Sequence, residues 1–374
     1  MDTPLFEIRV PGKLFIAGEY AVLEPEGQCI VAAVDRYVYA KAQVSGRNHV
    51  DLPQLGHSAI TWEELDGRLL FSENAPKLTF IQNAITICHQ YISGAGLKSV
   101  PFTLSIHSEL DDVSGKKYGL GSSAAVVVAV ITSVLRCHEN VGIKPTKELI
   151  YKLASIAHFV TQGNGSCADI AASTFGGWVH YRTFDAEWLL GHLQNEADIY
   201  SLVQEDWPGL QLNAVTAPKN LLLCVGWTGS EMSTSKMIVK IQQLQNNKPH
   251  LFDAFIQESS VAVSSMVQDF ADGNVRAAMQ SLTRNRLALM QLGNEANAEI
   301  ETPKLKELIR IADRYGAGKT SGAGGGDCGI AFMDSMENAA AVKTEWKLAQ
   351  IEPLDLSVSI DGACLIGKGK LTDD

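Results

Sequence analysis

Residues 5–44 alternate apolar and polar side chains, or gather β-branched and aromatic ones, at the two-residue period of a strand. "LFEIRV" and "YVYAKAQV" carry this pattern, and Pro11-Gly12 is expected to separate the first run from "KLFIAGEYAVL". From Leu78 the period lengthens, and Leu78, Ile81, Ile85 and Cys88 fall on one side of a predicted helix. "FTLSIHSEL" returns to strand spacing, residues 122–138 and 146–160 read as helices, and "GGWVHYRTF" reads as strand. Around residues 185–220 the character changes, punctuated by Trp207-Pro208-Gly209 and Ala217-Pro218. Beyond lie a buried strand, "LLLCVGW", helical stretches at about 234–247, 251–271, 274–297 and 303–316, and strands around "CGIAFM" and "LSVSI". No regular β–α–β alternation runs through the chain, so the predicted class is α+β, with one domain over 1–190 and a second over 191–374.

Composition then removes whole classes of function. A chain of 374 residues is long enough for two ordinary domains, and 46% hydrophobic with 20% charged residues is a globular profile. The apolar run Ala124 to Leu135 is too short to span a bilayer, and the first residues, which include Asp2 and Glu7, hold no apolar signal core. No membrane partner is expected. The seven cysteines are scattered, odd in number and without a CxxC pair, which argues against a disulfide framework or zinc site and for a reducing cytoplasm. A net charge of -11 offers no basic stripe for nucleic acid. An anionic ligand would have to be held by a few local lysines and helix N-termini against the global field. Monomer and homodimer both stay open.

Four stretches have the residue types for such local holding. In "KKYGLGSSAA", Gly119 and Gly121 let backbone amides approach a ligand, Ser122 and Ser123 place hydroxyls at the mouth of a helix, and Lys116 and Lys117 add positive charge. A plain capped helix with Ser122 as N-cap fits the same letters. In "VPGKLFIAGEYAVLEP", Lys13 opens a strand after a turn, and Gly18 suggests a bend that exposes Glu19 and Tyr20. In "TSGAGGGDCGIAF", four glycines between Gly322 and Gly326 run straight into an apolar strand, which suits a tight loop around an oxyanion better than a linker. "GNGSCADIAAS" holds Ser166 and Asp169 at capping-box spacing, with a site role as the other reading. "DRYGAGKT", residues 313–320, nearly spells a P-loop, but Asp313 stands at its required first glycine and a helical rather than a strand pattern precedes it.

In this order and at these separations the stretches resemble the GHMP kinase superfamily, which takes in galactokinase, homoserine kinase, mevalonate kinase and phosphomevalonate kinase. "PGKLFIAGEYAVL", "GLGSSAA" and "SGAGGGDCGIAF" are similar to its three motifs and span nearly the whole chain. The resemblance implies an N-terminal domain similar to ribosomal protein S5 domain 2, a ferredoxin-like C-terminal domain, and an active site in the cleft between them. It implies ATP as phosphoryl donor, with its phosphates on Lys117, Gly119, Leu120, Gly121, Ser122, Ser123 and Ala124. Lys13 and Asp169 carry over as the catalytic pair. Glu19, Tyr20, Ser166, Ser235 and Lys236, with the loop residues Gly322, Ala323, Gly324 and Gly325, match positions near the acceptor, as does Lys13. Mg²⁺ is implied as well, with a second-motif hydroxyl as ligand, here Ser123, while no glutamate identifies itself as a partner.

Gly18-Glu19-Tyr20, "KKYGLGSSAA", the ending Gly-Gly-Gly-Asp-Cys and "GWTGSEMSTSKM" together look most like the phosphomevalonate kinase branch. That resemblance implies phosphorylation of 5-phosphomevalonate to 5-diphosphomevalonate, in the mevalonate pathway of isoprenoid biosynthesis. A phosphate monoester has a second pKa of about 6 and needs no strong base, so Asp169 is expected chiefly to orient Lys13 and the acceptor. Mevalonate kinase is the alternative within the superfamily, and a non-catalytic nucleotide or metabolite sensor is the alternative from another class.

Overall fold

A computed structural model describes residues 5–111, 116–229 and 234–369, without the side chains of 234–236 and 368–369. The chain begins with two long antiparallel strands, β1 (Leu5–Ala17) and β2 (Gln28–Val44). Pro11-Gly12 does not divide β1 as expected. The two residues lie opposite a bulge instead: Pro11 pairs with Tyr37 and Gly12 with Val34, so Asp35 and Arg36 are skipped in the register. A Cβ on Gly12 would lie 2.9 Å from the Leu120 carbonyl oxygen, so glycine there lets a distant loop press directly on the strand.

The N-terminal half continues through β3 (His49–Leu52), β4 (His57–Leu65), β5 (Arg68–Phe71), α1 (Thr79–Gly94), β6 (Phe102–Ser108), α2 (Ser122–Cys137), α3 (Lys147–Gln162), α4 (Ala168–Phe175), β7 (Trp178–Arg182), α5 (Ala186–Gln194), α6 (Ile199–Gln204) and β8 (Gln211–Val215). Next come β9 (Leu222–Trp227), α7 (Thr234–Asn247), α8 (Pro249–Ala271), α9 (Val275–Glu295), α10 (Pro303–Ala312), β10 (Ala317–Thr320), β11 (Cys328–Met333), α11 (Met336–Leu348), β12 (Glu352–Leu354) and β13 (Cys364–Gly369). The large sheet runs β13-β1-β2-β6-β3-β4-β5, with β7 on the first half of β2 and β8 beyond β7. Helices α1 to α4 pack together over it, and α2 buries Val127, Val128, Ile131 and Leu135 in the common core. The smaller sheet runs β10-β11-β9-β12, which with its helices traces the β–α–β–β–α–β path of a ferredoxin-like unit. One of its faces is covered by Leu308 and Ile309 of α10 and Trp346 of α11. Val225, Ile330 and Phe332 turn the other way, into the core of the large sheet.

The two-domain α+β fold is therefore present, but the chain does not divide by a single cut at residue 190. That residue falls inside α5, and both β8 and β13 pair into the large sheet. "LSVSI" is not a strand. Val358 makes one isolated bridge to Val34, and the bulged Asp35 accepts a hydrogen bond from the Ser357 amide on its carboxylate at 2.7 Å. No helix among the described residues is long and apolar enough to cross a membrane.

His138, just past α2, is fully buried: its Nδ1–H faces the Val134 carbonyl at 2.7 Å and its Nε2 accepts from the Val100 amide at 2.9 Å. Burial pushes the imidazole below its ordinary value. Below about pH 6.5 the unfolded chain then binds the proton that the folded chain resists, so stability falls as pH drops. Thermal unfolding followed from pH 7.5 to 5.5 is expected to show a falling Tm, and a smaller fall in His138→Gln.

Candidate active site

Lys13 stands on the solvent-facing side of β1, between the core residues Gly12 and Leu14. Both ends of the residue are fastened to the second glycine stretch: its amide donates to the Leu120 carbonyl at 2.8 Å and its ammonium to the Gly119 carbonyl at 3.0 Å. The stem between them crosses Gly121, where a Cβ would meet Lys13 Cγ and Cε at 2.9 Å. Gly121 has φ 78° and is the residue from which α2 springs, with no side-chain cap on it. Ser122 is therefore the first helical residue rather than the N-cap. Only from Ala125 onward do the amides bond back along the helix, beginning with Ala125 to Gly121 at 3.1 Å. The leading amides of α2 and the lysine ammonium thus bring two positive poles together. A polyanion is the ligand that relieves both.

The third glycine stretch closes against this corner. A Cβ on Gly119 would fall 2.7 Å from the Asp327 Cβ, so the two loops touch. The Cys328 thiol donates to the Tyr118 carbonyl at 3.1 Å. Tyr118 is buried, with Arg36 of the β2 bulge over its ring at 4.4 Å and Trp227 of β9 edge-on at 4.9 Å. The phosphate-type loop is thereby gripped by both halves of the molecule.

Glu19 and Tyr20 are not exposed. They are 3% and 6% accessible, because Tyr20 and Ala21 pack with Met237, Phe252, Leu289 and Ile300 of the helical layer. The Tyr20 hydroxyl donates to the Ala323 carbonyl at 2.6 Å, and Ser321 Oγ donates to the Phe15 carbonyl at 2.8 Å. Glu19 Oε1 receives the Lys319 ammonium at 2.5 Å and the Gly322 amide at 3.3 Å. Burial lowers the affinity of Lys319 for its proton, and Glu19 opposes that. Removing one member of so buried a pair costs about 3–5 kcal/mol. Within the loop, the Gly325 amide donates to the Ile300 carbonyl at 2.8 Å. Two of the four amides expected around an oxyanion are thus already committed inside the protein.

Asp169 lies half-buried in the first turn of α4, and its Oδ1 accepts from the Ile170 amide at 3.0 Å. One turn on, Ser173 Oγ donates to the Pro11 carbonyl at 2.8 Å, which lays α4 along β1 beside Lys13. No ion pair joins Lys13 to Asp169 among the described residues; the ammonium is oriented by Gly119, not by the carboxylate as expected. Ser166 is buried, its carbonyl holding the Tyr181 hydroxyl and its Oγ facing the Ala168 amide at 3.4 Å. Lys117 is exposed and its backbone bridges to Asp111. The side chains of Ser235 and Lys236 lie outside the described residues.

The descriptions "GHMP kinases N terminal domain" and "GHMP kinases C terminal" match residues 79–177 and 266–351. Phosphomevalonate kinase from Streptomyces sp. (strain CL190) is 34% identical over 94% of this chain and 96% of its own. The chain belongs to the GHMP kinase family. Among solved structures, Streptococcus pneumoniae phosphomevalonate kinase in complex with phosphomevalonate and AMPPNP superposes with a TM-score of 0.81 at 27% identity, covering 94% of this chain and 99% of that one. Mevalonate kinase of Thermococcus onnurineus (strain NA1) is 26% identical over 94% of this chain and 96% of its own.

For this GHMP kinase the geometry also picks out residues that pattern reading passed over. Lys319 carries a signal in hindsight, a lysine inside a four-residue strand that is wholly buried. It belongs to the stretch that mimics a P-loop, and its ammonium faces inward, onto Glu19. Arg36 and Trp227 carry no comparable signal, since only the bulge and the docking of two loops bring them to Tyr118, whereas Asp327 belongs to the third motif and reaches Gly119 by that docking. No cluster of three or more metal-ligating side chains occurs among the described residues. A divalent ion would therefore find few protein ligands among them and would keep mostly water and nucleotide oxygens around it.

Gly121→Ala is expected to cost about 1–2 kcal/mol from its left-handed backbone alone, and to push the Lys13 stem off the α2 terminus as well. Gly56→Ala, also at positive φ but with open space around its Cβ, is the control. Urea unfolding should give similar losses for the two, while kcat/KM for ATP falls only in Gly121→Ala.

Proposed function

We propose that this kinase transfers the γ-phosphoryl group of ATP to 5-phosphomevalonate, forming 5-diphosphomevalonate and ADP in the mevalonate pathway of isoprenoid biosynthesis. The observation that carries the reading is the Lys13 side chain laid across the start of α2. That arrangement suits a triphosphate and a phosphate monoester, two anions, meeting end to end. The choice of acceptor is supported by the phosphomevalonate kinase relative at 34% identity against 26% for the mevalonate kinase. It is also supported by the likeness to a phosphomevalonate kinase solved with phosphomevalonate and AMPPNP.

In the proposed reaction an oxygen of the acceptor phosphate attacks the γ-phosphorus as the bond to the β–γ bridging oxygen breaks, and the electron pair leaves on ADP. The acceptor dianion gives up no proton in this step. Positioning and neutralisation of charge supply most of the rate. The amides of Ser122, Ser123 and Ala124 hold the donor phosphates, and Lys13 spans the incoming and leaving groups. The Ser123 hydroxyl would hold an Mg²⁺ ion bound with the nucleotide, which would supply neutralisation of the phosphate charge. Ala323 and Gly324 are the loop amides assigned to the acceptor, because those of Gly322 and Gly325 are committed elsewhere. Asp169 orients the acceptor.

ADP release measured with phosphomevalonate and mevalonate side by side should occur with the phosphorylated acceptor; turnover of mevalonate alone would overturn the assignment. Lys13→Met is expected to lower kcat by about 10²–10³. Asp169→Asn should cost less than the ~10² that removal of a general base brings, and losses as large as those of Lys13→Met would defeat the division of roles.

A further inference from the structure

Lys319 takes no part in the proposed chemistry, yet it sits at the join of everything that does. Strand β10 is buried throughout, and the Lys319 side chain has no accessible surface. Its ammonium spends two bonds, one on the Thr320 carbonyl at 2.7 Å and one on Glu19 Oε1 at 2.5 Å. The same Glu19 oxygen receives the Gly322 amide, while Oε2 is buried without a hydrogen-bond partner among the described residues. Behind Lys319, Glu301 adds its charge and is held by Arg286 through two bonds at 2.8 and 3.2 Å. Arg286 also pairs with Asp313 at 2.9 Å, and Asp313 returns to the chain by accepting the Gly318 amide at 3.0 Å. A line of alternating charge therefore runs from the bend after β1 to the two middle residues of β10.

Four contacts cross the seam between the end of β1 and the glycine loop: Lys319 with Glu19, the Gly322 amide with the same carboxylate, Tyr20 with Ala323, and Ser321 with Phe15. Only the first joins opposite charges, and it does so where water is excluded, so a displaced partner has nowhere else to bond. Its position decides where the loop begins at Gly322. The loop ends at Asp327, which leans on Gly119 beside the Lys13 ammonium.

We infer that Lys319 is a positioning residue for phosphoryl transfer: through Glu19 it sets the register of residues 321–327 against β1, and so the separation between the acceptor loop and the Lys13–α2 corner. This rests on reading the corner as the phosphoryl-transfer site. It does not rest on which acceptor is used. Steady-state kinetics on Lys319→Met, Glu19→Gln and the double variant test it, with whichever acceptor the wild-type enzyme turns over. Lys319→Met is expected to lower kcat about thirtyfold with KM for ATP changed less than about threefold, the pattern of lost transition-state geometry rather than lost binding. Neutralising the abandoned carboxylate in the double variant should restore about tenfold of that loss. A merely structural lysine would lower Tm and leave kcat per folded enzyme alone, and that result, or a double variant no better than Lys319→Met, overturns the inference.

Hydrogen–deuterium exchange of the peptide covering residues 318–328 gives a readout that needs no acceptor and separates this inference from the proposed function. Exchange at least about tenfold faster in Lys319→Met supports the pin, and unchanged exchange overturns it. Should Lys319→Met fail to fold, Glu19→Asp keeps the charge but shortens the reach by one methylene. It is expected to speed loop exchange and lower kcat, and wild-type values for both would overturn the inference.

Discussion

A lysine ammonium and the free amides of a helix do not attract each other, yet in this protein they lie side by side. The Lys13 stem passes over Gly121, and its charge rests on the Gly119 carbonyl next to the first turn of α2. The arrangement survives because β1 and the loop are locked by packing and by the amide of Lys13 itself, bound to Leu120. The positive potential stored there is local. The molecule as a whole carries -11, so an anionic ligand is admitted by a small patch working against the average field.

That patch depends on both halves of the chain. Tyr118 is held between Arg36, on the bulge of β2, and Trp227, at the end of β9. Cys328 and Asp327 pin the same loop from the β11 side. A phosphate loop supported only by its own domain would be free to rotate with it. Here the loop, the lysine strand and the third glycine stretch form one contact set. The return of β13 to the edge of β1 has the same effect on a larger scale, tying the end of the chain to the strand that carries Lys13.

Polar groups at the seam and behind it, buried except for Arg286 and Asp313, follow a consistent logic. Burial pushes the Tyr20 phenol above its ordinary value, aided by Glu19, so it stays a donor to Ala323. Glu19 takes a cation and an amide on one oxygen, and Arg286 satisfies Glu301 and Asp313 together. Buried polar networks of this kind favour one arrangement over its neighbours, since each alternative leaves a group without a partner.

Local pattern determined much of the molecule. The spacing of Leu78, Ile81, Ile85 and Cys88 places α1, and the strands at "FTLSIHSEL" and "CGIAFM" lie where alternation and apolar runs put them. The three glycine and lysine stretches are legible because backbone approach and helix starts demand particular residue types within a few positions. What a string cannot convey is which side chains meet across hundreds of residues. Glu19 and Tyr20 follow a glycine and read as an exposed bend, but a helical layer from the other half covers them. Lys319 reads as a near-miss P-loop lysine, and only its burial against Glu19 reveals an internal partner. The boundary near residue 190 failed for the same reason: β8 and β13 return to the first sheet through hydrogen bonds that have no signature in local sequence. Periodicity and residue type act over one or two turns, whereas burial and long-range pairing are set by how the whole chain closes on itself.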